Sequence, residues 1–189
     1  MSQLLGKLPN VLVLHLQRIV FDFNTFQNKK LNNRFEFPNI LELSKFSCKK
    51  NIVLSEEEKK NPENQALKEM LEYDDDEFVY RLVGVNIHRG AAGAGHYWSL
   101  IHTNRGAKEP NPQTEEARWA DLSSNWREFN DETVSFFLAK NIVEQGYGGY
   151  LTDQEMKIYS SGAHDDYGKS AYMLIYEKKL KSELRQIEL

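Results

Sequence analysis

Cysteine is almost missing from this 189-residue chain; Cys48 is the only one. A single thiol excludes an intrachain disulfide framework and any Cys-rich zinc site, and it suits a reduced compartment. Long apolar runs are missing too. None approaches the roughly 20 residues that cross a bilayer as a helix, and Met1-Ser2-Gln3-Leu4-Leu5-Gly6-Lys7 lacks the charged-then-apolar layout of a secretory leader. Clustered cations are also absent. Lys and Arg are scattered, the formal net charge is −4, and it is the acids that bunch, at Glu56-Glu57-Glu58 and Asp74-Asp75-Asp76-Glu77. That balance speaks against nucleic acid, whose phosphates call for grouped basic side chains. The expected setting is cytoplasmic, with the nucleus as a secondary location, and without a membrane partner.

What the chain does have is core material. Hydrophobic residues make up 40% and aromatics 12%, a globular composition for one domain. Val11-Leu12-Val13-Leu14-His15-Leu16 is a continuous apolar run and predicts a strand buried on both faces. Phe21, Phe23 and Phe26, followed by Gln27-Asn28-Lys29-Lys30 and Asn32-Asn33, predict a strand pair with a long Asn-rich connection. Phe35-Glu36-Phe37-Pro38 reads as a short edge strand ended by proline. Residues 49–77 change character and read as a surface insertion, with an amphipathic helix over 64–72 carried by Leu67, Met70 and Leu71. Residues 78–88 predict a strand with Tyr80, Leu82, Gly84 and Asn86 on one face. Ala91-Ala92-Gly93-Ala94-Gly95 is a small-residue loop, and His96-Tyr97-Trp98-Ser99-Leu100-Ile101 is the returning strand. Residues 104–117 look like a surface loop, and residues 119–129 like two short strands. Residues 134–144 carry apolar groups at helical spacing, and Gly146, Gly148 and Gly149 end that helix. A second polar insertion fills about 150–168, residues 171–176 predict a last buried strand, and a charged tail follows. The class is α+β, mainly antiparallel, one domain over 1–189 with two insertions.

Five histidines and one thiol frame the chemistry. His96 stands at the start of a strand just after the Gly/Ala loop, where a rigid scaffold would hold an imidazole beside uncovered backbone. That suits a general base, although the spacing alone favours a histidine bonded to backbone. Trp126-Arg127-Glu128-Phe129-Asn130-Asp131 ends in a carboxamide and a carboxylate. Either could orient such a base through its second nitrogen, or the pair could cap a helix starting near Val134. His88 and His96 without a third ligand make a weak metal site, and none is assigned. His15 reads as a packed histidine and His164 as a solvated one. Cys48, between Ser47 and Lys49 with no sign of a helix start, reads as incidental.

Together these pieces resemble one family. Leu8-Pro9-Asn10-Val11-Leu12-Val13-Leu14-His15-Leu16-Gln17-Arg18 and Lys30-Leu31-Asn32-Asn33-Arg34-Phe35-Glu36-Phe37-Pro38 are similar to consecutive stretches of ubiquitin-specific cysteine proteases. Tyr80-Arg81-Leu82-Val83-Gly84-Val85-Asn86-Ile87-His88-Arg89-Gly90 with Gly95-His96-Tyr97-Trp98-Ser99 resembles the family's histidine box. Trp126 to Asp131, Gly148-Gly149 and Ser170-Ala171-Tyr172-Met173-Leu174-Ile175-Tyr176 match the boxes that follow, in family order. The long insertions look most like those of the very large members.

The resemblance implies the palm part of a papain-like fold, with the thumb and most of the fingers missing. It implies hydrolysis of isopeptide or peptide bonds after the C-terminal glycine of ubiquitin. His96 would be the general base, Asn130 its orienting partner and Asp131 an assistant. His88, Gly95, Tyr97, Gly93 and Phe21 would line the channel for the ubiquitin tail, guarded by loops at about 22–33 and 90–95. The family's nucleophile box and its paired Cys-x-x-Cys motifs are absent here. A chain opening just ahead of Leu8 is therefore expected to be a piece of a longer protein and inactive alone. No cofactor is expected in this piece, since a structural zinc belongs to the missing fingers. Ubiquitin and ubiquitinated proteins are the expected partners, along with self-association through the exposed thumb-facing surface. The alternative is a non-catalytic ubiquitin-binding or scaffold domain derived from the same fold.

Overall fold

The computed structural model describes residues 4–72, 78–103, 125–149 and 168–178. The readings made for 104–117, for the first of the two strands in 119–129, for the acidic run 74–77, for most of 150–168 and for the tail lie outside these residues. Nine strands are described: β1 (Val11–His15), β2 (Ile19–Asp22), β3 (Gln27–Lys30), β4 (Ile40–Glu42), β5 (Val79–Ala91), β6 (Ala94–His102), β7 (Trp126–Asn130), β8 (Thr133–Phe137) and β9 (Lys169–Lys178). The short helices are α1 (Cys48–Asn51), α2 (Glu56–Lys60), α3 (Gln65–Leu71) and α4 (Ile142–Gly146). The class is α+β with the sheet dominant, and the pairs β2–β3, β4–β5, β5–β6, β6–β7 and β7–β8 are antiparallel.

The chain divides into two compact units. One comprises Val13–Pro38 and Val83–Ile175; the other comprises Met1–Leu12, Asn39–Leu82 and Tyr176–Leu189. Strands β1, β5 and β9 have residues in both.

The first unit is organised by the strand order β1-β9-β5-β6-β7-β8. Alternation along β5 and β6 sends Val85, Ile87 and Arg89 to one face beside Leu100, Trp98 and His96, and Asn86 and His88 to the other beside Ser99 and Tyr97. Strand β5 lies inside the order and has residues buried on both faces, Val83, Val85, Ile87 and His88 among them. Strand β1, in contrast, ends the order. Val11 and Val13, which share one face of it, are 47% and 51% exposed, so the expectation of a strand buried on both sides is corrected. Helix α4 packs through Ile142, while Gly146 leaves room for the Phe37 ring, which meets Tyr147 edge-on at 4.8 Å. Phe37 is thus a core plug in extended chain, and the strand expected at 35–38 does not form.

Two further expectations fail here for physical reasons. Gln27–Lys30, read as connection, is strand β3, paired residue for residue with β2 in a two-stranded sheet, and only Phe23–Phe26 turns between them. Phe26 takes a left-handed φ of 55° and Asp22 Oδ1 accepts from the Asn24 N–H, which makes so tight a turn feasible. The helix expected over 134–144 is strand β8, a 3₁₀ turn at Ala139–Asn141 and then α4. Its spacing of three to four apolar positions is shared by an edge strand running into a short helix.

The second unit holds β4 against the start of β5, with Ile40 opposite Arg81, and the helices α1 to α3. Tyr80, Tyr176 and Phe78 are buried rings of this unit, and the Tyr80 hydroxyl donates to the Pro9 carbonyl at 2.6 Å. The helix expected at 64–72 is α3. Helix α2 starts in a capping box, Ser55 with Glu58. Cys48 does open a helix, the four-residue α1 with Ser47 as N-cap, contrary to the reading of its surroundings; the thiol is 7% exposed.

Candidate active site

All residues of the candidate site lie in the first unit. The β5–β6 hairpin closes through Ala92–Gly93 alone, with Ala91 opposite Ala94 and Arg89 opposite His96. The expected five-residue loop is mostly strand, and His96 is the third residue of β6. Gly90 has φ of +123°, a conformation open to glycine and strained for other residues. Strand β7 runs beside β6 with His102 opposite Trp126 and Ser99 opposite Phe129. Asn130, next along, reaches diagonally to His96. Asp131 and Glu132 turn the chain into β8, Asp131 with φ of 50°. The Asn-Asp pair therefore makes a hairpin turn and caps no helix.

His96 Nε2 lies 2.6 Å from Asn130 Oδ1. The Asn130 amide is oriented from its other end, because Nδ2 donates to Glu128 Oε1 at 3.3 Å. With Oδ1 the acceptor, the neutral imidazole carries its proton on Nε2 and leaves Nδ1 bare. Asp131 Oδ2 stands 3.9 Å from the same Nε2 and is mostly exposed. Trp98 backs the imidazole with a stacked ring at 5.7 Å. His96 itself is half-exposed and borders a cleft of about 760 Å³ lined by Arg89, Trp98, Glu128, Asn130 and Gln145. A base with a fixed tautomer, a bare nitrogen and an open approach can take a proton from an incoming acid.

The other sequence-derived candidates are placed less uniformly. Tyr97 points to the opposite face and stacks on His88 at 4.4 Å, with Tyr172 edge-on at 5.5 Å. His88 is 2% exposed. Its burial, with the Lys30 charge as a second cause, pushes its pKa down from 6.5 to about 4, and its Nδ1 has no hydrogen-bond partner among the described residues. Gly95 lies over this ring; a side chain there would strike His88 Nε2 and the Arg89 carbonyl, whereas at Gly93 it would meet open space. Phe21, on β2, is 47% exposed and packs edge-on against Phe23 at 5.2 Å and Phe26 at 6.3 Å.

Glu128 and Lys30 were missed from sequence. The signal for Glu128 was its i, i+2 position to Asn130 on a strand, which puts both on one face. Lys30 sits in a polar run and gave none. Among the described residues no group of three or more His, Cys, Asp or Glu side chains could hold a metal, and no helix is long and apolar enough to cross a membrane.

Comparison with known proteins converges on one family. The family model described as ubiquitin carboxyl-terminal hydrolase matches residues 2–176. The chain is 31% identical over 183 residues to ubiquitin carboxyl-terminal hydrolase 15 of Saccharomyces cerevisiae, covering 93% of this chain and 12% of that protein. It is 28% identical over 177 residues to ubiquitin carboxyl-terminal hydrolase 34 of Homo sapiens, covering 91% and 4%. It is 31% identical over 186 residues to human ubiquitin carboxyl-terminal hydrolase 9Y, covering 93% and 7%. The chain thus spans a small part of each relative's length. It belongs to the ubiquitin carboxyl-terminal hydrolase family.

Proposed function

We propose that this chain supplies the general base of a thiol-dependent deubiquitinase that cleaves after the C-terminal glycine of ubiquitin. The observation that carries the reading is the 2.6 Å contact between His96 Nε2 and Asn130 Oδ1, which leaves Nδ1 free in a member of this family. In the proposed reaction Nδ1 takes the proton of a cysteine thiol, and the thiolate adds to the glycine carbonyl. The imidazolium then returns its proton to the departing lysine amine. Water, deprotonated by the same imidazole, hydrolyses the thioester. Asn130 holds the ring through each transfer, Glu128 holds Asn130, and Asp131 adds negative charge beside the imidazolium. Gly95 and Tyr97 would border the path of the ubiquitin tail, with Gly93 on one guarding loop and Phe21 on β2 just ahead of the other.

The thiol must come from elsewhere. Cys48 is buried and belongs to the other unit. The isolated chain should therefore turn over no fluorogenic ubiquitin amide, and the chain expressed with the flanking sequence of its gene should. His96→Ala in that longer protein should remove the activity. Sustained hydrolysis by the isolated chain, or full activity without His96, would overturn the reading.

A further inference from the structure

Strands β2 and β3 form a small sheet outside the main strand order, yet β3 ends on a side chain that reaches deep into the unit. Lys30 is 1% exposed. Its ammonium donates to the His88 carbonyl at 3.0 Å and to the Gly168 carbonyl at 2.6 Å. His88 is in β5 and Gly168 directly precedes β9, so one buried cation joins three segments. Charge-assisted bonds of this kind are short, and a buried ammonium is retained only where such acceptors surround it.

The His88 residue held from behind in this way is the one whose ring supports the Gly95 backbone and stacks on Tyr97. Gly95 and Tyr97 flank His96. An unbroken series of contacts therefore runs from Lys30 Nζ through the His88 backbone and ring to the peptide on either side of the candidate base. Arg18, just ahead of β2, does a parallel task, donating to the carbonyls of Leu31, Asn33, Tyr147 and Ala171.

We infer that Lys30 is a positioning residue: it fixes the seat of His88 and so the height of the 95–97 segment that presents His96 and receives the ubiquitin tail. This rests on the proposed deubiquitinase reading for its substrate, and on geometry alone for its effect on His96.

The test uses the whole 189-residue chain, labelled with ¹⁵N. In the wild type the Lys30 Nζ resonance should be visible and slow to exchange, as a clamped ammonium requires; a signal lost to rapid exchange with water overturns the inference with no variant made. Lys30→Met keeps the stem and removes the charge. It should bind monomeric ubiquitin about tenfold more weakly, and the His96 ring should lose the ¹⁵N pattern of an Nε2–H donating to Asn130. A residue that merely stabilised the fold would lower Tm and leave both readouts unchanged, so that result in a folded Lys30→Met overturns the inference. Lys30→Gln retains an N–H donor and should fall between the two; it decides the matter if Lys30→Met does not fold, and wild-type behaviour then overturns it. A wild-type chain with no affinity for ubiquitin would defeat the deubiquitinase reading, and the His96 ring would still decide the role of Lys30.

Discussion

The α-carbon of Gly95 lies directly over the imidazole of His88, with no room for a side chain between them. The small residues of this hairpin are therefore not interchangeable. At Gly93 an added methyl group meets nothing, while at Gly95 it meets a ring that cannot move away, because His88 is buried and stacked on Tyr97. Gly95→Ala should cost about 2 kcal/mol, the usual range for forcing extra volume into a packed site. Gly93→Ala should lie within about 0.5 kcal/mol of the wild type. Urea denaturation of the two variants checks this, and equal midpoints would show that the ring yields.

The same buried imidazole makes stability depend on pH. His88 has its pKa lowered from 6.5 to about 4 in the folded chain, by burial first and by the Lys30 charge second. Between those values the unfolded chain binds the proton and the folded chain does not. Stability must then rise as pH increases from about 4 to 6.5, and fall as pH drops through that window. The full effect is at most about 3 kcal/mol, from 1.36 kcal/mol per unit. Carboxylates titrate at the lower end too, so the comparison that isolates His88 is with His88→Gln. That variant should lack this part of the slope when urea midpoints are measured at several pH values. Parallel curves for the two proteins would show that His88 is charged in the folded state.

The residues that could be read from sequence and those that could not differ in a physical way. Strands β5 and β6 were legible because a central hairpin needs apolar groups on a regular period, and residues 78–88 and 96–101 supply them. Strand β3 was not. Three of its four residues are exposed and polar, and it exists through pairing with β2, which local propensity does not register. Strand β8 is an edge strand with four of five residues exposed, so its alternation is unmarked by burial and the spacing of Val134, Phe137 and Leu138 imitates a helix. At the site, His96 and Asn130 were candidates from their positions alone, and the resemblance chose between their alternative readings, since neither residue type is diagnostic there. Lys30 and Arg18 escaped notice because a cation in a polar run is ordinarily solvated. Only the fold reveals that both are buried against backbone carbonyls.

Glu128 offers a finer test of the candidate site. Its carboxylate accepts from Asn130 Nδ2, so it determines which end of the amide faces His96. In Glu128→Gln the side-chain amide can present either O or N to Asn130, and the orientation is less strictly set. Asn130→Ala removes the acceptor altogether. The neutral His96 ring should then shift from Nε2–H alone towards a mixture with Nδ1–H, strongly in Asn130→Ala and partially in Glu128→Gln. Two-bond ¹H–¹⁵N correlation on the ring reads this directly. In a longer protein that carries the proposed thiol, kcat should fall by up to about 10⁴-fold for Asn130→Ala, the loss known when a base's orienting partner is changed. An unchanged tautomer in Asn130→Ala would show that Asp131, 3.9 Å away, already carries the role.

Arg18 provides the last and most severe perturbation. It is 6% exposed, its pKa is lowered by burial, and its guanidinium donates to the carbonyls of Leu31, Asn33, Tyr147 and Ala171. A guanidinium remains charged at any working pH, so this is a buried cation held by backbone dipoles. It joins the ends of the β2–β3 hairpin to the residues around Tyr147 and to β9. Arg18→Met fills most of the volume but leaves those carbonyls without their donor, at a cost of about 3 kcal/mol. Arg18→Lys keeps the charge, yet a single ammonium cannot span the same acceptors, so it should recover less than half of the loss. Because Lys30 is untouched, the damage should be local. Amide exchange should accelerate first in β2, β3 and residues 31–35, while β6 and β7 keep their protection. Uniform acceleration across the unit would mean that Arg18 supports the whole fold and not the hairpin's attachment to it.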